Sequence, residues 1–186
     1  KISFQNSQMK DDIWSKKMGT LVSGKTLGIL GLGNIGKRLI KITNSMDLKY
    51  LAVDLEVDKV FSRNNNVKYC DINELFMESD IISIHLNATK ETVGLVNYEL
   101  FKKMRPDSFI INTSRGDLID EHGLIKALDN NIIAGAALDV FVEEPYHGPL
   151  LSYANVITTP HIGSYAKEIR VAMELEAIEN LIRILK

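Results

Sequence analysis

The sequence predicts an α/β fold in which a doubly wound parallel sheet lies between two layers of helices. Two observations predict it. From Thr26 onward, short apolar runs alternate with helix-like stretches, which is the pattern of βαβ units whose strands are covered on both faces. A G-x-G-x-x-G turn over residues 31–36 joins the first apolar run to the first of these helices. This combination favours a three-layer α/β/α domain.

Six apolar runs are the candidate strands. Each is short and bounded by polar or glycine-containing segments, as expected for buried parallel strands. Six strands suit a doubly wound sheet. The runs cover Thr26–Leu30, Lys49–Val53, Ile81–His85, Ser108–Asn112, Ile133–Leu138 and Val156–Thr159.

Two crossover helices are predicted between these strands. The apolar side chains of the first recur at helical spacing and are Ile35, Leu39, Ile42 and Met46. The second begins at Asp120, a residue type that caps helix starts.

Composition limits the classes of function. The chain has 186 residues, 45% of them hydrophobic and 25% charged, which is typical of one globular domain. A formal net charge of −2 provides no broad positive field, so we expect neither a nucleic-acid nor a membrane partner. No apolar stretch reaches the length of a membrane span, and Cys70 is the only cysteine. We therefore expect a soluble, cytoplasmic protein without a disulfide or a metal site.

The glycine turn predicts a dinucleotide site of the Rossmann type. Gly31 permits a tight turn, Gly33 lets the backbone approach a pyrophosphate, and Gly36 lets the helix pack on the strand. The helix N-terminus would then direct its unpaired N–H groups at the phosphates. Asp54 follows the second run, about 20 residues beyond the glycines, where an acid binds the adenosine ribose. Its carboxylate would repel a 2′-phosphate, which favours NAD over NADP.

Three ionisable residues follow later strands and would share the ligand-binding edge of the sheet. Arg115 can hold a carboxylate in two hydrogen bonds, and His161 can protonate a carbonyl oxygen. Glu144 can orient the imidazole and stabilise its charged form. Such a set suits the reduction of a 2-keto acid. Taken singly, each residue also has a structural explanation: a surface ion pair, a solvated acid and a hydrogen-bonded loop imidazole.

Four ordered motifs carry a family resemblance. They are Gly31-Leu32-Gly33-Asn34-Ile35-Gly36, Asn112-Thr113-Ser114-Arg115-Gly116, Ala137-Leu138-Asp139-Val140-Phe141 through Glu144-Pro145, and Pro160-His161-Ile162-Gly163-Ser164. In order and approximate spacing they resemble the D-isomer-specific 2-hydroxyacid dehydrogenases. The likeness extends from about Leu21 to the end of the chain.

The resemblance implies roles for individual residues. Arg115 would bind the substrate carboxylate and carbonyl, His161 would be the acid/base, and Glu144 would be its partner. Glu143 is the neighbouring acid, and Glu144 is preferred because it directly precedes proline. The residues implied at the cofactor are Gly31, Gly33, Asn34, Ile35 and Gly36 at the pyrophosphate, Asp54 at the ribose, Leu86 near the adenosine, and Thr113 and Asp139 towards the nicotinamide. Ser114 and Gly163 are also expected to bind the cofactor.

The chain departs from the family in two places. After His85 the family often has a small or polar residue and then proline, whereas this chain has Leu86 and Asn87. Family members also carry a second, substrate-binding domain that is largely missing here. We therefore expect a connecting remnant over residues 1–23, the dinucleotide-binding domain over 24–165, and over 166–186 a helix returning towards the missing domain.

The resemblance implies an NAD-dependent oxidoreductase that interconverts a D-2-hydroxy acid and a 2-keto acid, with a homodimer as the expected assembly. The isolated domain should be poorly active. One alternative is a dinucleotide-sensing, corepressor-like binding module, because such relatives keep the same three residues. Another is a different Rossmann enzyme, such as an adenosylhomocysteinase, which shares the glycines but not the order of Arg115, Glu144 and His161.

Overall fold

A computed structural model describes residues 1–185 and contains one parallel sheet of seven strands. The strands are β1 (Thr26–Leu30), β2 (Lys49–Val53), β3 (Val67–Tyr69), β4 (Ile81–Ile84), β5 (Phe109–Asn112), β6 (Gly135–Leu138) and β7 (Val156–Thr158). Their order across the sheet is β3-β2-β1-β4-β5-β6-β7. The chain therefore builds outwards from β1 in both directions, which confirms the predicted doubly wound topology.

Helices connect the strands and cover the sheet. They are α1 (Ile2–Lys10), α2 (Asn34–Thr43), α3 (Lys59–Asn65), α4 (Ile72–Glu78), α5 (Tyr98–Phe101), α6 (Glu121–Asp129) and α7 (Lys167–Leu185). Asp58, Asp71 and Asn97 start α3, α4 and α5 with side-chain oxygens that accept first-turn N–H groups. Such caps satisfy amides that have no partner within the helix.

Apolar side chains of the central strands form the core. Ile29 of β1, Ile82 and Ile84 of β4, and Ile110 of β5 are fully buried, because helices cover both faces of the sheet. Leu124 of α6 packs in one cluster with the β4 and β5 isoleucines, and Ile29 belongs to a second cluster. Because neighbouring strands pair in parallel, their carboxyl ends meet along one edge of the sheet.

The prediction of six strands was wrong by one. β3 has only three residues, its middle residue Lys68 is exposed, and it pairs with β2 at the edge of the sheet. A short edge strand with a charged residue has no apolar run to reveal it. Several predicted strands are also trimmed at their ends: β4 stops at Ile84, and β6 begins at Gly135.

The buried side of α2 does not coincide with the apolar spacing that predicts the helix. The helix buries Gly36 and Ile40, whereas Ile35 and Ile42 are exposed, as is Met46 beyond its C-terminal end. The cause is the glycine turn: a Cβ on Gly36 would lie 2.7 Å from the carbonyl oxygen of Gly31, so this face must lie against the turn. Apolar periodicity located the helix. Its orientation depends on Gly36, which has no side chain to keep it away from the turn.

Neither end of the chain packs into the core. α1 and α7 contain no buried residue, and the exposed side chains of α7 include Met173, Leu175 and Ile178. The helix predicted over 166–186 corresponds to α7, and Lys186 lies outside the described residues. Within residues 1–185, no helix is long and apolar enough to cross a membrane.

A pair of isoleucine variants tests the orientation of α2. Ile40→Ala should lower the free energy of unfolding by about 2–5 kcal/mol, because it leaves a cavity in a fully buried site. Ile42→Ala should change it by less than about 0.5 kcal/mol, because that side chain is exposed. Urea unfolding of both variants measures the difference. Equal losses would contradict the observed orientation.

Candidate functional site

The candidate site lies where the winding direction of the sheet reverses. β1 pairs with β2 on one side and with β4 on the other, so the connections that follow β1 and β4 diverge. Divergence leaves a crevice outside the carboxyl ends of the strands, which is where open α/β sheets bind ligands. The sequence-predicted site residues follow β1, β2, β4, β5, β6 and β7 at this edge.

The glycine turn is closed on one side and open on the other. Gly31 has φ +98°, a conformation that side chains rarely adopt, and a Cβ there would lie 2.8 Å from the carbonyl oxygen of His85. Gly36 is equally crowded against the turn. A Cβ on Gly33, in contrast, would meet no atom within 4 Å. The backbone of Gly33 is therefore accessible to a ligand in the crevice.

The start of α2 lies beside this opening. Gly33 is the cap residue and no side chain caps the first turn, so the amides of Asn34 and Ile35 have no protein acceptor within the described residues. Both side chains are exposed. Free N–H groups and the positive end of the helix dipole make a site for a phosphate anion. The pyrophosphate of a dinucleotide fits this arrangement.

Asp54 is fixed to the glycine turn by its carboxylate. Its Oδ2 accepts a hydrogen bond from the N–H of Leu32 at 2.6 Å, and its Oδ1 accepts one from the N–H of Glu56 at 3.2 Å. The nearby cation Lys37 is paired with Asp58 at 2.7 Å instead. The Asp54 carboxylate is therefore held beside the glycine turn, and Lys37 forms no ion pair with it.

The end of β4 supplies an apolar wall. Leu86 is half-buried, and its Cδ2 would lie 3.0 Å from a Cβ on Gly31. His85 lies behind it, with Nε2 at 3.0 Å from the hydroxyl of Ser83. Burial lowers the pKa of His85, which favours the neutral imidazole. His85 therefore has the character of a structural histidine.

The loop after β5 is held by its own side chains. Buried Asn112 accepts the N–H of Ser114 at 3.0 Å and donates to the carbonyl oxygen of Arg115 at 2.8 Å. The Ser114 hydroxyl donates to the carbonyl oxygen of Ile84 at 2.8 Å. Thr113 and Arg115 are left exposed. The guanidinium of Arg115 donates one hydrogen bond to the carbonyl oxygen of Ser114 at 2.6 Å and forms no ion pair with any residue in 1–185, so its other N–H groups are available to an anionic ligand.

Glu144 and His161 form a pair at the same edge. Glu144 Oε2 lies 2.8 Å from His161 Nδ1, and Glu144 Oε1 accepts the N–H of Phe141 at 3.1 Å. These contacts, the hydrogen bond with His161 first, lower the pKa of Glu144. Since Glu144 occupies Nδ1, His161 Nε2 remains open to a substrate. Glu143 makes no side-chain hydrogen bond within the described residues, so the pairing distinguishes the two acids.

Asp139 holds the segment that carries His161. This buried carboxylate accepts the hydroxyl of Thr159 at 2.5 Å, the N–H of Ile162 at 2.9 Å and the N–H of Gly163 at 3.0 Å. Burial acts to raise the pKa of Asp139, but these hydrogen bonds outweigh it and hold the pKa below its usual range. His161 itself has φ +52°, a left-handed conformation that the clamp helps to maintain.

Sequence reasoning missed this clamp. Asp139 was predicted near the nicotinamide and Gly163 as a cofactor-binding residue, and in the structure the Gly163 N–H donates to the Asp139 carboxylate. The signal in the sequence that could have indicated the clamp was Thr159, a polar residue directly after β7. Within residues 1–185, no group of three or more His, Cys, Asp or Glu side chains could hold a metal ion.

Comparison with known proteins decides the family. Residues 1–163 match the family described as D-isomer specific 2-hydroxyacid dehydrogenase, NAD binding domain. The chain belongs to this family. It is thus an NAD-binding domain, in agreement with the cofactor that the glycine turn and Asp54 predict.

Relatives of the domain are longer proteins. A glyoxylate reductase of Thermofilum pendens is 43% identical over 174 residues, which cover 90% of this chain and 50% of that protein. A D-3-phosphoglycerate dehydrogenase of Synechocystis sp. is 38% identical over 179 residues, covering 95% of this chain and 32% of that protein. This NAD-binding domain therefore spans half or less of the length of these two relatives.

Solved structures share the fold. The D-isomer specific 2-hydroxyacid dehydrogenase of Lactobacillus delbrueckii ssp. bulgaricus in its NAD-complexed form superposes with a TM-score of 0.86 at 26% identity, covering 99% of this chain and 62% of that one. An acyclic imino acid reductase in complex with NADPH and D-Arg gives a TM-score of 0.88 at 30% identity, covering 99% and 59%. The same fold thus occurs with either dinucleotide.

The clamp predicts a pH-dependent contribution to stability. Because the folded pKa of Asp139 is lowered, its contribution is fully present above the ordinary value of about 4 and is lost as the pH falls through the folded pKa. Asp139→Asn should lower the free energy of unfolding by about 1–3 kcal/mol near neutral pH, because it disturbs hydrogen bonds to a buried charge.

Unfolding in urea between pH 7 and pH 2 measures this effect, with Asp117→Asn as the exposed control. The gap between the native protein and Asp139→Asn should shrink below about pH 4. A gap that stays constant to pH 2 would contradict the assignment of the charged carboxylate as the clamp.

Proposed function

We propose that this chain is the cofactor-binding part of a two-domain, NAD-dependent oxidoreductase that interconverts a D-2-hydroxy acid and its 2-keto acid. The observation that carries the proposal is the pairing of Glu144 with His161 at 2.8 Å on the sheet edge where the glycine turn opens. In this proposal residues 24–165 are the dinucleotide-binding domain, while residues 1–23 and 166–186 connect it to the substrate domain.

In this proposal the cofactor lies across the crevice. Gly31 and Gly36 shape the turn, and the backbone of Gly33 with the free amides of Asn34 and Ile35 receives the pyrophosphate. Asp54 receives the ribose hydroxyls and selects NAD, since its carboxylate would repel a 2′-phosphate and Lys37 is engaged with Asp58. The remaining contacts are Leu86 at the adenosine end, and Thr113 and Asp139 at the nicotinamide end. Ser114 and Gly163 complete the cofactor-binding residues.

Three side chains bind the substrate or transfer its proton. Bound NADH supplies the hydride that is added to the carbonyl carbon. Arg115 holds the substrate carboxylate through the guanidinium N–H groups that Ser114 does not accept, and thereby aligns the carbonyl. His161 delivers a proton from Nε2 to the carbonyl oxygen, which becomes the hydroxyl of the product. Glu144, at Nδ1, stabilises the imidazolium before the proton leaves and keeps the ring in one orientation.

The substrate and the assembly follow from the same proposal. The substrate is a small 2-keto or 2-hydroxy acid, because Arg115 and His161 recognise only the carboxylate and the adjacent oxygen. Its side chain is recognised by the second domain, which also excludes water from the crevice. The protein acts as a homodimer, and nucleic acid and membranes have no part in the reaction.

Turnover by a longer protein that contains this chain and a substrate domain tests the proposal. NADH oxidation would be followed with glyoxylate, hydroxypyruvate and pyruvate, and NAD reduction with D-3-phosphoglycerate. His161→Gln should lower kcat about 10²–10⁴-fold, because it removes general acid catalysis. The control, His122→Gln, changes an exposed histidine of α6 and should leave kcat unchanged. Full activity of His161→Gln would contradict the proposal, and NADH binding without any turnover would favour a sensing module.

A further inference from the structure

The loop that carries Glu144 is tied to α6 by one tyrosine. Tyr146 lies two residues beyond Glu144, and its hydroxyl donates to Glu121 Oε1 at 2.9 Å. The same hydroxyl accepts the N–H of Leu150 at 3.3 Å. Glu121 is the first residue of α6, a helix anchored by the buried side chain of Leu124. The Tyr146 hydroxyl therefore connects the surface loop that carries Glu144 to the first turn of α6.

The ring of Tyr146 packs against the ring of Phe141. The two rings are stacked, with centroids 4.1 Å apart and planes 16° from parallel. The N–H of Phe141 is the group that Glu144 Oε1 accepts. Because the stacked ring fixes the Phe141 residue, it also fixes the direction of this N–H. Glu144 is exposed, so packing around its own side chain cannot set its position.

Phe141 is also a contact of the arginine loop. A Cβ on Gly116 would lie 2.0 Å from the carbonyl carbon of Phe141, so the backbones touch directly at the residue after Arg115. Phe141 thus joins the loop of Arg115 to the loop of Glu144, and Tyr146 lies against its ring. No other aromatic pair is stacked in the part of the chain that the structure describes.

We propose that Tyr146 is a positioning residue that holds Glu144 against His161 through Glu121 and the Phe141 backbone. The inference rests on the proposed function, since it assigns a role towards the acid–base pair. Within the described residues Tyr146 makes no hydrogen bond with His161 or Glu144, and it acts through Glu121, Phe141 and the loop.

Two further observations fit this role. Burial, with the hydrogen bond to Glu121, raises the pKa of Tyr146 to about 12, so the hydroxyl stays a proton donor throughout the working range of pH. Gly148 packs on the tyrosine, since a Cβ there would lie 2.2 Å from the hydroxyl oxygen. The loop therefore packs directly against the Tyr146 hydroxyl.

The titration of Glu144 tests the proposal without any need for turnover. NMR of this chain with ¹³C-labelled glutamate would follow the Glu144 carboxyl in the native protein, in Tyr146→Phe and in His161→Ala. His161→Ala should raise the pKa of Glu144 towards its ordinary value, because it removes the largest cause of the lowering. Tyr146→Phe should produce part of the same rise, because the freed loop lets Glu144 leave His161 and the Phe141 N–H.

Tyr153→Phe is the matched control. The Tyr153 hydroxyl donates to Asp129 Oδ1 at 2.6 Å, so it ties the same connection to the other end of α6. Loss of the Tyr153 hydroxyl should lower the melting temperature, as loss of the Tyr146 hydroxyl does. It should leave the titration of Glu144 unchanged. If Tyr146→Phe fails to fold, Glu121→Ala removes the acceptor of the same bond and takes its place.

The outcomes distinguish the positioning role of Tyr146 from the proposed reaction. A Glu144 titration in Tyr146→Phe that matches Tyr153→Phe would overturn the positioning role and leave Tyr146 as a stabilising residue only. A rise in the Glu144 pKa, in a longer protein that shows no turnover, would support the positioning role and count against the proposed reaction alone.

Discussion

The fit of α2 against the glycine turn is the constraint on which the rest of the structure depends. A Cβ on Gly36 would lie 2.7 Å from the carbonyl oxygen of Gly31 and 2.9 Å from Ile29 Cγ2, so the helix reaches this position only because Gly36 has no side chain. The contact brings the free amides of the helix to the carboxyl edge of β1. It also orients the helix so that Ile42 is exposed to solvent and Ile40 is buried in the core. One close approach therefore sets both the anion site and the orientation of the first crossover helix.

The opposite half of the crevice depends on hydrogen bonds instead of close packing. Glu144 and His161 are both exposed, at 38% and 49% of their side-chain surface, so neither is held by burial. Buried Asp139 clamps the histidine segment, and Tyr146 ties the glutamate loop to α6. A surface pair that exchanges protons with a ligand must be accessible, and its geometry must then be supplied by residues behind it. This half of the crevice should therefore be the more sensitive to changes in charge.

Much of the fold could be predicted from the sequence because its signals are local. Apolar runs located six strands, and the glycine spacing located the turn and α2. β3 was missed because three residues with a central lysine have no apolar pattern. The buried side of α2 differs from its apolar spacing, because periodicity does not reveal a close backbone approach. In the site, the motifs identified Glu144 and His161, whereas the hydrogen bonds of Asp139 with Thr159 and of Tyr146 with Glu121 join residues 20 and 25 positions apart and have no local signature.

The most direct test of the account is NADH binding by Gly33→Ala, measured by calorimetry beside urea unfolding. A Cβ on Gly33 meets no protein atom, so the free energy of unfolding should change by less than about 0.5 kcal/mol. The same methyl group would occupy the pyrophosphate position, so the affinity should fall at least about tenfold, or 1.4 kcal/mol. Gly19→Ala, at an equally open position in the N-terminal segment, is the control. Unchanged affinity in Gly33→Ala would contradict a pyrophosphate site at the start of α2.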